Sequence, residues 1–114
     1  MSRKIKFRAW HKKEQVMVIV KVINLDEDGR LANSDEIELM QFTGLRDKDR
    51  YGIYEGDILK SKNDELFTID FQYGSYWATS INNNDISYSS GSCSFSEKEF
   101  EIVGDIYQHK HLLD

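Results

Sequence analysis

The sequence predicts a mainly β protein, a set of short strands curled into a small barrel or roll, with helix confined to a turn or two. Three observations predict it. Residues 3–10 alternate apolar and polar side chains, as a half-buried strand requires. The run Val16-Met17-Val18-Ile19-Val20-Lys21-Val22-Ile23 is β-branched at six of its eight positions. Beyond Ile58, short apolar runs recur between Gly, Asn and Asp turns, while no stretch holds an amphipathic helical period for more than two turns. Close-set short strands favour a barrel, because closure removes the unpaired edges they would otherwise present.

Taken in order, the first strand sets Ile5, Phe7 and Ala9 on one side and Lys4, Lys6, Arg8 and Trp10 on the other. The polar link His11 to Gln15 joins it to the Val16 to Ile23 strand in an antiparallel hairpin. So dense a β-branched run is expected to be covered on both faces, either at the centre of a sheet or in an oligomer contact. Asn24 to Asp35 is an acidic loop, and Glu36 to Phe42 a short strand. Met40 to Ile58 reads as a turn-rich hinge, punctuated by Thr43-Gly44, by the charged run Arg46 to Arg50, and by Gly52 and Gly56. After it come Ile58 to Lys62 and Leu66 to Phe71 as a hairpin, then Tyr76 to Ile81, Ile86 to Tyr88 and a closing strand, Glu101 to Tyr107. Ser96 to Phe100, with a serine N-cap and Glu99 at capping-box spacing, and Gln108 to Leu113 are the helical candidates. Glu55-Gly56-Asp57-Ile58 and Val103-Gly104-Asp105-Ile106 echo one another and read as two similar strand starts, each with an aspartate able to bond nearby backbone N–H groups.

At 114 residues the chain is a single unit by length, divided here into an N-terminal β region, 1–44, and a roll with a C-terminal tail, 45–114. One cysteine excludes an intramolecular disulfide and a multi-cysteine zinc site, which suits a reducing cytoplasm. No apolar run is long enough for a signal peptide or a membrane span. The net charge of −5 hides an asymmetry, since residues 1–13 carry six Lys or Arg and no acid. From Ile58 onward four basic residues face nine acidic ones. The protein as a whole therefore repels polyanions, while its N-terminal edge attracts them.

Lys4-Ile5-Lys6-Phe7-Arg8-Ala9-Trp10, then Gln41-Phe42-Thr43-Gly44-Leu45 through Ile53-Tyr54-Glu55-Gly56-Asp57-Ile58, then Ile102-Val103-Gly104-Asp105-Ile106-Tyr107 with Leu112-Leu113 form an ordered set of motifs over nearly the whole chain. In this the sequence resembles the YopX family. The resemblance implies a phage or prophage protein of Gram-positive bacteria with an SH3-like β-roll in its C-terminal part. It implies no activity, because the family brings no catalytic or binding residues to carry over. Family members read Asp-Lys-Asn-Gly-Lys where this chain has Asp47-Lys48-Asp49-Arg50-Tyr51, with the glycine displaced to Gly52.

Several groups of residues are candidate sites. Asn24, Asp26, Asp28, Gly29, Leu31 and Asp35 occupy EF-hand loop positions, but the β-branched residues before them cannot supply the entering helix and the last ligand is a short Asp, so a solvated acidic loop is the expectation. Lys4, Lys6 and Arg8 with Trp10 make a basic, aromatic-bearing strand face suited to backbone phosphates and base stacking, or simply a soluble outer face. Cys93 has no histidine within fifteen residues to act as a base, and His109 and His111 lack an evident third metal ligand. Of Tyr51, Tyr54, Tyr73, Tyr76, Trp77 and Tyr88 gathered after the hinge, Trp77 is expected in the roll, while Tyr76, sharing parity with Ala78 and Ser80, could face out in an exposed cluster suited to protein contact; a small core completed by amphipathic tyrosines is the preferred reading. The reading that results is a non-enzymatic phage accessory protein without cofactor or metal, acting by contact with host or phage proteins and by self-association through Val16, Val18, Ile19 and Val20. The alternative is a small nucleic-acid-binding β-barrel module using the basic N-terminal strand.

Overall fold

Alternation in the sequence becomes two antiparallel sheets in the computed structural model, which describes residues 5–21, 27–28, 36–81, 87–89 and 99–113. The first sheet has the order β2-β1-β3-β4, built from β1 (Phe7–His11), β2 (Val16–Val20), β3 (Ile37–Arg46) and β4 (Gly52–Tyr54). The second has the order β8-β7-β6-β5-β9, from β5 (Asp57–Ser61), β6 (Leu66–Gln72), β7 (Ser75–Ser80), β8 (Ser87–Ser89) and β9 (Phe100–Asp105). A single 3-10 turn, Lys110–Leu113, is the helical element among the described residues outside the strands' flanks. The protein is thus mainly β, as its sequence requires.

The predicted first hairpin is present, in the register Ala9↔Val18, and its tight link holds Gln15 at φ 57 while the Gln15 N–H donates to the His11 carbonyl at 2.8 Å. The covered strand, however, is β1 and not β2. β3 lies along the other side of β1 in the register Ala9↔Leu39, so β1 is interior and β2 is the outer strand. β-branched density reports that a segment is extended, not that it is flanked on both sides. The same placement corrects the expected two-faced character of β1. Ala9 and Trp10 are both buried, Ile5 is exposed, and the Trp10 ring stacks on Tyr107 at 5.7 Å.

The supposed hinge carries strand. β3 runs on through Thr43, Gly44 and Leu45 to Arg46, passing through the boundary placed at residue 44, and pairs with β4 across an irregularity between Phe42 and Arg46. Gly44 sits there at φ 89, and the Thr43 hydroxyl donates to the Ile53 carbonyl at 2.7 Å. Asp47 then organises the turn into β4. Its Oδ1 accepts the N–H groups of Asp49 and Tyr51, both at 2.9 Å, and its Oδ2 accepts that of Ile102 at 3.0 Å, so this buried carboxylate is bonded on both oxygens. The left-handed residue of the turn is Arg50, at φ 71.

The second sheet curls around the core of Ile53, Leu59, Phe67, Ile69, Ala78 and Phe100, against which Leu45 and Ile102 pack. Phe67 meets Phe100 edge to face at 5.5 Å. Register decides the neighbours: Phe67 pairs with Ser80, Ile69 with Ala78 and Phe71 with Tyr76. Ala78 and Ser80 are therefore the inward residues of β7, and the expected assignment of Trp77 to the core and of the Tyr76 parity to solvent is reversed. Trp77 lies on the opposite face, its indole N–H donating to the Gln72 carbonyl at 2.9 Å. The Gly-Asp echo also resolves into something other than two strand starts. Asp57 and Asp105 are cross-strand partners, one opening β5 and the other closing β9.

Candidate functional site

β2 presents the largest exposed apolar element of the first sheet. Val16, Val18 and Ile19 are 41%, 37% and 64% exposed, on a strand with no neighbour beyond it among the described residues. The direction of its free hydrogen-bonding groups follows from β1. At the two ends of the β1/β3 ladder, Phe42 N–H donates to the Lys6 carbonyl at 2.8 Å and Lys12 N–H to the Glu36 carbonyl at 2.9 Å. Even-numbered residues of β1 thus bond toward β3, and by the alternation of an antiparallel sheet the odd ones, Phe7, Ala9 and His11, bond toward their partners Val20, Val18 and Val16. Met17 and Ile19 are left with N–H and C=O pointing away from the sheet. Proline, an inward charge or a bulge would blunt such an edge; β2 has none of them, and Lys21 follows only after the strand ends.

Behind β2 the first sheet is tied to the second. Arg8, directly opposite Ile19 on β1, reaches across to β5, where its Nη2 lies 2.7 Å from Asp57 Oδ1 and donates to the Glu55 carbonyl at 3.1 Å. Its guanidinium also lies over the Tyr54 ring, at 4.9 Å. Asp57 Oδ2 accepts the Tyr54 N–H at 2.7 Å. Burial pushes the Asp57 carboxyl up to about 6 and outweighs the pull of Arg8 in the other direction. A carboxyl in that range resembles a general acid, but Asp57 is only 2% exposed and both its oxygens are engaged. It joins two sheets.

The three described residues of the basic strand face do not form a charged surface together. Lys4 lies outside the described residues. Lys6 sits over the Phe42 ring at 4.9 Å, Arg8 is in the ion pair, and Trp10 is buried under Tyr107. This face of β1 is covered by Tyr107 and by the contact with Asp57, long-range packing that alternation alone could not reveal. A second basic feature was missed in the sequence because its residues are far apart. Lys48, Lys60 and Lys62 line a surface cavity of about 390 Å³, yet they are answered by Glu101 at 3.2 Å, Asp64 at 3.7 Å and Glu99 at 3.1 Å. Three cations against three carboxylates leave no net attraction for a polyanion.

Of the remaining candidates, Cys93 and nearly all of the Asn24 to Asp35 loop lie outside the described residues. His109 is used structurally: its Nδ1 accepts the Asp105 N–H at 3.1 Å, and its ring stands 6.1 Å from that of His111. No group of three or more His, Cys, Asp or Glu placed to hold a metal ion occurs among the described residues. Nor is any described helix long and apolar enough to cross a membrane.

Compared with known proteins, residues 6–114 match the family described as YopX protein. The chain belongs to the YopX family. Among solved structures this YopX-family chain is similar to protein EF1440 from Enterococcus faecalis, with a TM-score of 0.74 at 19% identity over 99% of this chain and 100% of that one. At that identity the likeness concerns the fold. No curated protein matches the chain. The match over residues 6–114 includes β2 and the Arg8–Asp57 junction, so the outer strand is part of the family unit and not an appendage to it.

Proposed function

We propose that this YopX-family protein is a non-enzymatic phage or prophage accessory protein of the bacterial cytoplasm that works through protein contacts, self-association among them, made by strand addition to the outer edge of β2. One observation carries the reading. Met17 and Ile19 direct backbone groups, without a partner strand among the described residues, outward from a strand whose Val16, Val18 and Ile19 side chains are exposed, and an added strand would satisfy the backbone while covering those side chains. The charge distribution supports it, since an overall net charge of −5 does not suit a polyanion ligand and the basic strand face loses Arg8 and Trp10 to the interior. The test is affinity capture from induced host cells in the presence of nuclease, wild type against Ile19→Asp, with every captured protein, this chain included, identified and re-bound in purified form. Ile19→Asp should abolish the direct binding while leaving the circular dichroism of the fold unchanged. Binding that is equal in the two proteins, or that nuclease removes, overturns the reading.

A further inference from the structure

Resting on that reading of β2, we infer that the strand added is β2 of a second copy of this chain, paired antiparallel about a two-fold axis at Val18, so that two four-stranded sheets become one continuous sheet of eight.

The argument is one of register. A two-fold axis between antiparallel strands must place some residue opposite itself, so the choices within β2 are few. With Val18 on the axis, Val16 faces Val20 of the second copy and Met17 faces Ile19, and every residue of β2 meets an apolar residue. Shifting the axis to Met17 sets Val20 against Glu14 and Lys13 against Lys21, a like-charge pair; shifting it to Ile19 sets Met17 against Lys21. The backbone agrees with the Val18 axis. Val18 bonds inward to Ala9, so the pair on the axis is a non-hydrogen-bonded one, and the flanking Met17 and Ile19 pairs are those whose N–H and C=O groups point outward. Each Met17/Ile19 pair then exchanges two hydrogen bonds, one pair on either side of the axis. Val16, Val18 and Val20 form an unbroken valine row across the axis on one face, while Met17 and Ile19 close the other. The surface is therefore complementary to itself, which is the condition for a closed isologous dimer.

Single cysteines introduced one at a time into the full chain, with Cys93→Ser to remove the native thiol, read the register directly. In the Val18-centred pair the two Val18 Cα atoms are about 4.5 Å apart, within disulfide reach, whereas Met17 lies about 8 Å from its own copy, beyond it. Val18→Cys should give a disulfide-linked dimer under mild oxidation, and Met17→Cys and Ile19→Cys should not. The wild type should scatter light as twice its 13.4 kDa chain. Ile19→Asp should return it to one chain. Cross-linking of Met17→Cys or Ile19→Cys in place of Val18→Cys overturns the register. A wild type that stays monomeric at high micromolar concentration overturns the second copy as occupant; if a captured foreign protein then binds wild type and not Ile19→Asp, the wider protein-contact reading survives. If Ile19→Asp alters neither association nor capture, both fall together.

Discussion

Arg8 and Asp57 lie 2.7 Å apart, one on an interior strand of the first sheet and the other opening an interior strand of the second, and their ion pair is a buried polar link between the two sheets. Each half supplies what the other needs: the guanidinium neutralises a carboxylate that is otherwise too deeply buried to ionise readily. Because Arg8 is also the cross-strand partner of Ile19, this link stiffens the sheet behind the exposed edge.

The first prediction concerns pH. The folded Asp57 carboxyl is raised to about 6, above the value near 4 of an unfolded chain, so the folded state holds its proton more tightly. Stability from this group is fully present below about pH 4 and is lost as the pH rises through about 6. By linkage the loss is roughly 2–3 kcal/mol. Urea denaturation of the wild type and of Asp57→Asn at pH 4, 6 and 7.5 isolates it, because the wild-type advantage should shrink by that amount across the series. A difference independent of pH removes the assignment.

Removing the cation is the harsher change. Arg8→Met leaves Asp57 buried without its counter-charge and should cost about 3–5 kcal/mol at pH 7.5. At pH 5, where the unpaired carboxyl is protonated, the cost should be markedly smaller. A cost that is the same at the two values would mean that Arg8 contributes through packing on Tyr54 alone.

Arg50 carries a different prediction. It stands where the resemblance implies a glycine, and it holds φ at 71, a conformation that disfavours residues with a Cβ. The displaced glycine, Gly52, does not take over that role. It lies on β4, where an added Cβ would come within 2.9 Å of the Phe42 ring. Arg50→Gly should therefore stabilise the protein by about 1 kcal/mol, and Gly52→Ala should destabilise it. Chemical denaturation checks both signs.

How far the sequence reaches is clear from particular strands. The hairpins β1/β2, β5/β6 and β6/β7 are legible because alternation and turn residues are local signals; β5, β6 and β7 lie within a residue of the predicted bounds, whereas β1 starts at Phe7 and β2 ends at Val20, inside the longer strands expected. Strand order is not local. Val16 to Val20 is the most β-prone segment and lies at an edge, whereas β1, which contains Arg8 and is flanked by Lys6 and Lys12, is the interior strand. That is why the β-branched run suggests a strand at the centre of a sheet, while the outward direction of the Met17 and Ile19 backbone appears only once the pairing with β1 is known. β4 was hidden for another reason. Its glycine and the charged turn before it look like loop, and only pairing with the distal half of β3 makes it a strand. The Asp57/Asp105 pairing was visible as an echo in the sequence, but nothing in that echo shows that the two segments lie side by side.

The last prediction comes from the C-terminal tail. Gly104 has an ordinary strand conformation, so alanine there is not strained, and on backbone grounds Gly104→Ala should be mildly stabilising. Packing opposes this. A Cβ at residue 104 would lie 2.6 Å from His109 Cγ and 2.7 Å from its Nδ1, so the ring must move and give up the bond it accepts from the Asp105 N–H. Packing wins because the lost hydrogen bond and the displaced tail together exceed the few tenths to one kcal/mol at stake in the backbone. Gly104→Ala should cost about 1–2 kcal/mol in the wild type. In a His109→Ala background, only the contact with the residue 109 Cβ, at 2.9 Å, remains, and the cost should fall by at least half. A double-mutant cycle by urea denaturation measures the coupling, expected at about 0.5–2 kcal/mol, and a value of zero would show that His109 does not pin the tail to β9.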